Sequence, residues 1–107
     1  MSPKSFNKIL QEFRKYENDL PISSMLCFME ILESPGLTVS QAVNGLDLSK
    51  QSASRALKNL THRARPGKDG IDVVRAEPLP EDYRVSQHFL NERGVELEKR
   101  IRQILSD

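Results

Sequence analysis

The chain has 107 residues, 37% of them hydrophobic, with 16 Lys/Arg against 15 Asp/Glu and a formal net charge of +1. That is the length of one domain with a modest apolar core, and it excludes a disordered polyelectrolyte. No apolar run approaches the ~18 residues that a membrane helix needs, and no basic-then-apolar leader opens the sequence, so a soluble, cytoplasmic protein with no membrane partner is expected.

The even balance of charge hides a division. Residues 1–48 hold 4 Lys/Arg against 6 Asp/Glu, residues 49–75 hold 7 against 2, and residues 76–107 hold 5 against 7. A concentrated basic block is a statement about a partner, because like charges add nothing to a core. The lone Cys27 rules out an internal disulfide, and its setting, MLCFMEIL, suits a buried thiol. His62 and His88 are the only imidazoles, so no metal site and no cofactor is expected.

PKSFNKILQEFRKYEND reads as a first helix, capped by Ser5, with Phe6, Ile9, Leu10, Phe13 and Tyr16 at helical spacing. NDLPISS ends it, since the residue before a proline resists the helical region. ISSMLCFMEILES is a second helix, apolar on more than one side, as expected of a helix in the middle of a domain. SPG stops it. TVSQAVNGL is a short third helix capped by Thr38, with Val39, Ala42, Val43 and Leu46 inward. After the tight link GLDL, Ser49 caps a fourth helix, KQSASRALKNLTHR, whose inner side is Ala53, Ala56, Leu57, Leu60 and Ala64.

Beyond ARPGKDG the period changes. IDVVRAE is rich in β-branched residues, PLPED is a turn, and YRVSQHFL alternates Tyr83, Val85, Gln87 and Phe89 against Arg84, Ser86, His88 and Leu90. Asn91 then caps a last helix, with Leu97, Ile101, Ile104 and Leu105 on one side, and Gly94 in its first turn is compatible with close packing. The predicted class is α+β, mostly α: a single winged helix-turn-helix domain over residues 1–107, with helix-turn-helix 38–63 and wing hairpin 71–90 between N- and C-terminal helices. Those end helices, 1–19 and 91–107, are predicted to dimerise, through Phe6, Ile9, Leu10 and Phe13 with Leu97, Ile101, Ile104 and Leu105. Intramolecular core is the other use of the same stripes.

The fourth helix presents Gln51, Arg55, Lys58 and His62 in one stripe, flanked by Lys50 and Ser54, with no acid. Arg and Lys donate to guanine, Gln pairs with adenine, and Ser reaches bases or phosphates. Ser52, Ala53, Ser54 and Ala56 keep the helix slim enough for a major groove, and its N-terminus favours phosphate. A solvated basic face is the bland alternative, but the tight turn before it and the hairpin after it favour DNA. Arg75 and Arg84 flank the wing turn, where they suit a minor groove or the backbone. The acids Glu77, Glu81 and Asp82 make the wing tip itself unsuited to a groove and able to pair with the neighbouring arginines. RARPGKDG, with Arg63, Arg65 and Lys68, is a basic loop equally suited to touching phosphates or to a plain surface role. The predicted DNA-binding set is Thr38, Ser49, Lys50, Gln51, Ser52, Ser54, Arg55, Lys58, Arg75 and Arg84. Enzyme chemistry is not expected: there is no Gly-rich phosphate loop, and Glu12, Glu17, Glu96 and Glu98 sit singly on amphipathic helices.

LTVSQAVNGLDLSKQSASRALKNL and LPEDYRVSQHFLNERGVELEKRI together resemble the MarR family of winged helix-turn-helix transcription regulators. The second stretch carries the wing's Asp-x-Arg as Asp82 and Arg84, and the entry to the last helix as Leu90, Asn91 and Gly94. The resemblance spans about residues 20 to 105. It implies a homodimer held by its end helices on a pseudo-palindromic operator, read by the helix that Ser49 opens, with the wing on the backbone or minor groove. Many relatives repress, and some answer to small phenolic ligands or oxidants. The sequence departs from the pattern at Val43, at Asp47 where a turn glycine is usual, and in the longer ARPGKDG connection. It is also shorter than typical members, which implies reduced dimer-forming arms. A protein-binding winged helix that docks on polymerase or a host factor without reading DNA is the competing function.

Overall fold

A computed structural model describes all of the chain, Met1 to Asp107. Helix α1 (Pro3–Arg14) is capped by Ser2, whose side chain accepts from the Ser5 backbone N–H at 3.1 Å, so the cap lies ahead of the expected Ser5. Pro3 explains the shift: its fixed φ and missing N–H suit the first helical position. The helix ends at Arg14, earlier than the Asp19 boundary of the sequence pattern. Helix α2 (Ile22–Glu33) buries Ser24, Cys27, Phe28 and Ile31, but Ile22 is 72% exposed. The helix sits in the middle of the domain, but one of its apolar sides is open: no other element covers its Ile22 and Leu26 edge. Burial pushes the Cys27 thiol up to about 11, and the nearby charge of Glu30 adds to the effect, so this is a packing residue and not a nucleophile.

Helix α3 (Val39–Leu46) opens with a reciprocal cap: Gln41 N–H donates to Thr38 Oγ1 at 3.2 Å, and Thr38 N–H to Gln41 Oε1 at 3.0 Å. It closes on Asp47 in the left-handed region, φ 54°, which accounts for the glycine usual there, because Asp tolerates this conformation less well than Gly does. Leu48 and Ser49 lead into α4 (Lys50–Leu60), where Ser49 Oγ accepts from the Ser52 N–H at 3.0 Å. The buried Ser24 hydroxyl donates to the Ala56 carbonyl at 3.1 Å, a bond of about 1 kcal/mol that ties α2 to α4.

Helix α4 stops at Leu60, short of the expected end. Residues 63–65 and 68–69 form an extra antiparallel hairpin, β1 (Arg63–Arg65) with β2 (Lys68–Asp69), in place of the loop expected from the sequence. Ala64 is buried, but on β1 and not on the helix. The chain then turns back along the end of α4, with Ile71 N–H donating to the Asn59 carbonyl at 2.9 Å and Val73 N–H to the Leu60 carbonyl at 2.8 Å. These bonds use the polar groups of residues 71–73, so the wing strand begins at Val74 instead of Ile71. β3 (Val74–Leu79) pairs antiparallel with β4 (Asp82–Leu90), and Leu37 bridges to His88 on the far side of β4.

On β4 the inward residue is His88; Tyr83, at the head of the opposite set, is 83% exposed. His88 Nδ1 lies 2.8 Å from the Leu37 carbonyl. Burial depresses His88 below its ordinary value of 6.5, and the bond to Leu37 opposes this without cancelling it. A histidine with a depressed folded pKa binds fewer protons folded than unfolded, so its contribution is complete above pH 6.5 and is lost as pH falls through the folded value. Urea melts on either side of pH 6.5 should show lower stability on the acid side, and His88→Asn should flatten that step. An unchanged step in the variant would assign it to other groups.

Helix α5 (Glu92–Ser106) is capped by Asn91, which accepts from the Gly94 N–H at 2.9 Å, and packs on α1. Arg100 bridges the two helices, with Nε 2.6 Å from Glu12 Oε1 and Nη2 at the Tyr16 hydroxyl. Burial pushes the Glu12 carboxyl up, but hydrogen bonds and charge from Lys15 and Arg100 leave it below its ordinary value. Phe13 meets Phe28 edge-on at 5.6 Å between centroids, a geometry that adds ~1 kcal/mol to the burial itself. Ile9, Phe13, Leu97 and Ile101 all lie in this core. They are thus removed from the expected dimer surface, as is most of Ile104; Phe6 (51%), Leu10 and Leu105 (44%) remain exposed. No helix is long and apolar enough to cross a membrane.

Candidate nucleic-acid interface

The geometry of α4 follows from its inner face. Ala53, Ala56, Leu57 and Leu60 are buried against α2 and α3, which turns Lys50, Gln51, Arg55 and Lys58 outward. The chain has seven ion pairs, and none involves Lys50, Arg55 or Lys58. A cation without an internal partner keeps its full attraction for an external anion. Ser49 and Thr38 behave differently from these cations, because their hydroxyl oxygens are already engaged in the caps of α4 and α3. Ser52 is exposed one turn into α4, and Ser54 is half-buried beside the cations.

Helix α4 is a ridge between two hollows. One is lined by Val39, Ser40 and Val43 of α3 and by Arg84, Val85 and Ser86 of β4, with Lys50, Ser54 and Lys58 along its floor. The other, about 600 Å³, has Lys50, Gln51, Ser54, Arg55, Lys58 and Asn59 on one side and Ala64, Arg65 and Lys68 of the β1–β2 hairpin on the other. The sequence-predicted residues Lys50, Gln51, Ser54, Arg55, Lys58 and Arg84 are brought together around this ridge. Arg84 is held by Asp82, with Nε 3.0 Å from Oδ1 and Nη2 3.2 Å from Oδ2. The side-chain bond from Arg84, seconded by its backbone N–H, keeps the Asp82 carboxyl below its usual range. The clasp leaves the Arg84 side chain 85% exposed while restricting where it can point.

Arg75 is not brought to the ridge. It pairs with Glu77 on its own strand, stacks over Phe89 at 4.9 Å, and lines a separate hollow with Asn91, Glu92 and Arg93 at the start of α5. His62 lies beyond the end of α4, so the predicted stripe loses its last member. Arg65 and Lys68, whose basic loop suits phosphate contact and a plain surface role equally by sequence, both lie beside α4. Their signal was present: Pro-Gly between alternating cations and a small residue is a hairpin pattern.

The chain superposes on the crystal structure of a MarR transcriptional regulator from Methanosarcina mazei Go1 with a TM-score of 0.71 and 20% identity, covering 92% of this chain and 63% of that one. On a structure described as MarR the TM-score is 0.64 at 19% identity, covering 94% of this chain and 72% of the other. The fold is the MarR winged helix. This chain spans somewhat less than two thirds of the length of the Methanosarcina protein. No family model and no curated protein matches the sequence. In this fold α3 and α4 take the places of the helix-turn-helix and β3–β4 that of the wing hairpin. The β1–β2 hairpin is the structural counterpart of the long ARPGKDG connection.

Proposed function

We propose that the chain is a sequence-specific regulator of transcription that binds double-stranded DNA, as a homodimer on a pseudo-palindromic operator. The observation that carries the reading is the outward face of α4, where Lys50, Arg55 and Lys58 stand free of every carboxylate of the chain. On this reading α4 enters a major groove, with Gln51, Arg55 and Lys58 toward base edges and Ser49, Lys50, Ser52 and Ser54 toward phosphates at its N-terminal end. Thr38 caps α3, the helix that precedes α4, and adds a contact at its start. Arg84, steered by Asp82, reaches the adjacent backbone or minor groove. The MarR fold supports the same reading by likeness of shape.

Dimerisation is supported by the exposed apolar residues Phe6 and Leu10 on α1 and Leu105 on α5. Apolar side chains left in water at both ends of one chain gain ~25 cal/mol per Å² when a second copy covers them. Sedimentation at micromolar concentration should show a dimer that Phe6→Glu with Leu10→Glu converts to a monomer. A wild-type monomer would remove the dimer from the proposal. The function is tested by selecting bound sites from random duplex DNA. Recovery of a two-fold symmetric consensus is the expected result, and affinity for it should fall steeply with salt. Recovery of no consensus, with no salt-dependent binding, would overturn DNA recognition in favour of a protein-docking winged helix.

A further inference from the structure

We propose that the β1–β2 hairpin is a second phosphate-binding arm, which grips the DNA backbone on the side of α4 away from the wing. The inference rests on the DNA-binding reading above and extends the contact surface beyond the helix-turn-helix and wing. A major groove is walled by two phosphate strands about 12 Å apart, so a helix lying in it has backbone on both sides. In this chain α4 has a cationic wall on both sides as well. The wing side supplies Arg84; the hairpin side supplies Arg65 and Lys68 across a shared hollow from Arg55 and Lys58.

The arm is built to hold its position. Ala64 is buried between the exposed Arg63 and Arg65, which anchors β1 and sends both guanidiniums outward. Thr61 Oγ1 donates to the Lys58 carbonyl at 2.8 Å and lies 3.1 Å from the Arg63 carbonyl oxygen, which sets its one proton between the last turn of α4 and the hairpin. Gly70 N–H donates to the His62 carbonyl at 3.2 Å on the return. A Cβ at Gly70 would collide with the Thr61 carbonyl oxygen, so the two segments approach as closely as backbone allows. The hairpin therefore moves with the recognition helix. Five cations line this hollow, Lys50, Arg55, Lys58, Arg65 and Lys68, and no acid does. Of the carboxylates, only Glu17 pairs with a cation of this hollow, 3.7 Å from Lys68, a partly exposed pair of little energetic weight that a phosphate can displace; Asp69, the hairpin's own acid, lies opposite Arg63 on β2 and does not line the hollow.

The test compares wild type, R65Q/K68Q and a control, K99Q/R102Q, which removes the same charge from α5. Each is titrated with a mixed-sequence DNA duplex over a range of salt, after melting curves confirm an equal fold. Each phosphate contact contributes about −0.9 to the slope of log K against log salt, so R65Q/K68Q should flatten the slope by about 2 and the control should not. Affinity at moderate salt should fall about tenfold or more in the hairpin variant, with base preference in site selection unchanged. A hairpin variant with the wild-type slope would overturn the arm and leave the DNA-binding reading standing. Equal flattening in the control would overturn it too, by reducing the effect to net charge. A wild-type chain without salt-dependent binding would overturn both.

Discussion

Arg55→Ala is expected to weaken binding to a selected duplex by ~1–3 kcal/mol and to relax preference at one base pair while leaving the others intact. The expectation comes from its place on α4. Arg55 is exposed, has no carboxylate partner, and stands one turn beyond Gln51 on the outward face of α4, where both line the hollow on the hairpin side. A guanidinium there can donate two parallel bonds to guanine O6 and N7, a geometry that no other base reproduces. Removing the side chain leaves no buried polar group behind, because the residue is solvated in the free chain, so fold stability should change by less than ~0.5 kcal/mol. Lys58→Ala, measured beside it, should weaken all sequences more evenly if Lys58 acts mainly as a point charge. Titration of both variants against the selected duplex and its single-base variants separates the two roles. An Arg55→Ala chain with wild-type affinity and preference would remove α4 from base recognition.

Gly94→Ala is expected to cost roughly 3 kcal/mol of stability, with the melting midpoint lowered on the order of 15 °C for a chain of this size. Gly94 is buried in the first turn of α5, where a Cβ would collide with the Val73 carbonyl oxygen. That carbonyl cannot yield freely, because it accepts from the Asn91 N–H at 3.2 Å, and Asn91 in turn accepts from the Gly94 N–H at 2.9 Å. The same glycine would cost ~1 kcal/mol of helix propensity relative to alanine if packing were ignored, so propensity and packing predict opposite signs. Gly45→Ala in α3 is the control: nothing stands within 4 Å of a Cβ there, and the change should be neutral or stabilise by up to ~1 kcal/mol. Paired melts of the two variants would show which effect governs each site. A stabilised Gly94→Ala chain would mean that α5 can move off the Val73 carbonyl at little cost.

Much of this protein was legible from local chemistry. The periodicities of α1 to α5, the caps at Thr38, Ser49 and Asn91, and the outward cations of α4 all depend on residues within about one helical turn, and the chain adopts them as expected. The Asp82–Arg84 clasp belongs to the same class, since the partners are two residues apart. Other features depended on distant segments. Whether Phe13 and Ile101 face a core or a second copy was open in the sequence, because both uses require the same apolar stripe. It was decided by the packing of α1 against α5. The inward turn of His88 was set by Leu37, 51 positions away, and the end of α4 by the chain returning to pair with it. The ordering of Arg65 and Lys68 into a hairpin beside α4, and the removal of Arg75 to the mouth of α5, were likewise tertiary outcomes. The physical reason is one of range: hydrophobic spacing and capping act over a few residues, whereas the neighbours of a charged side chain are set by which backbones have paired around it.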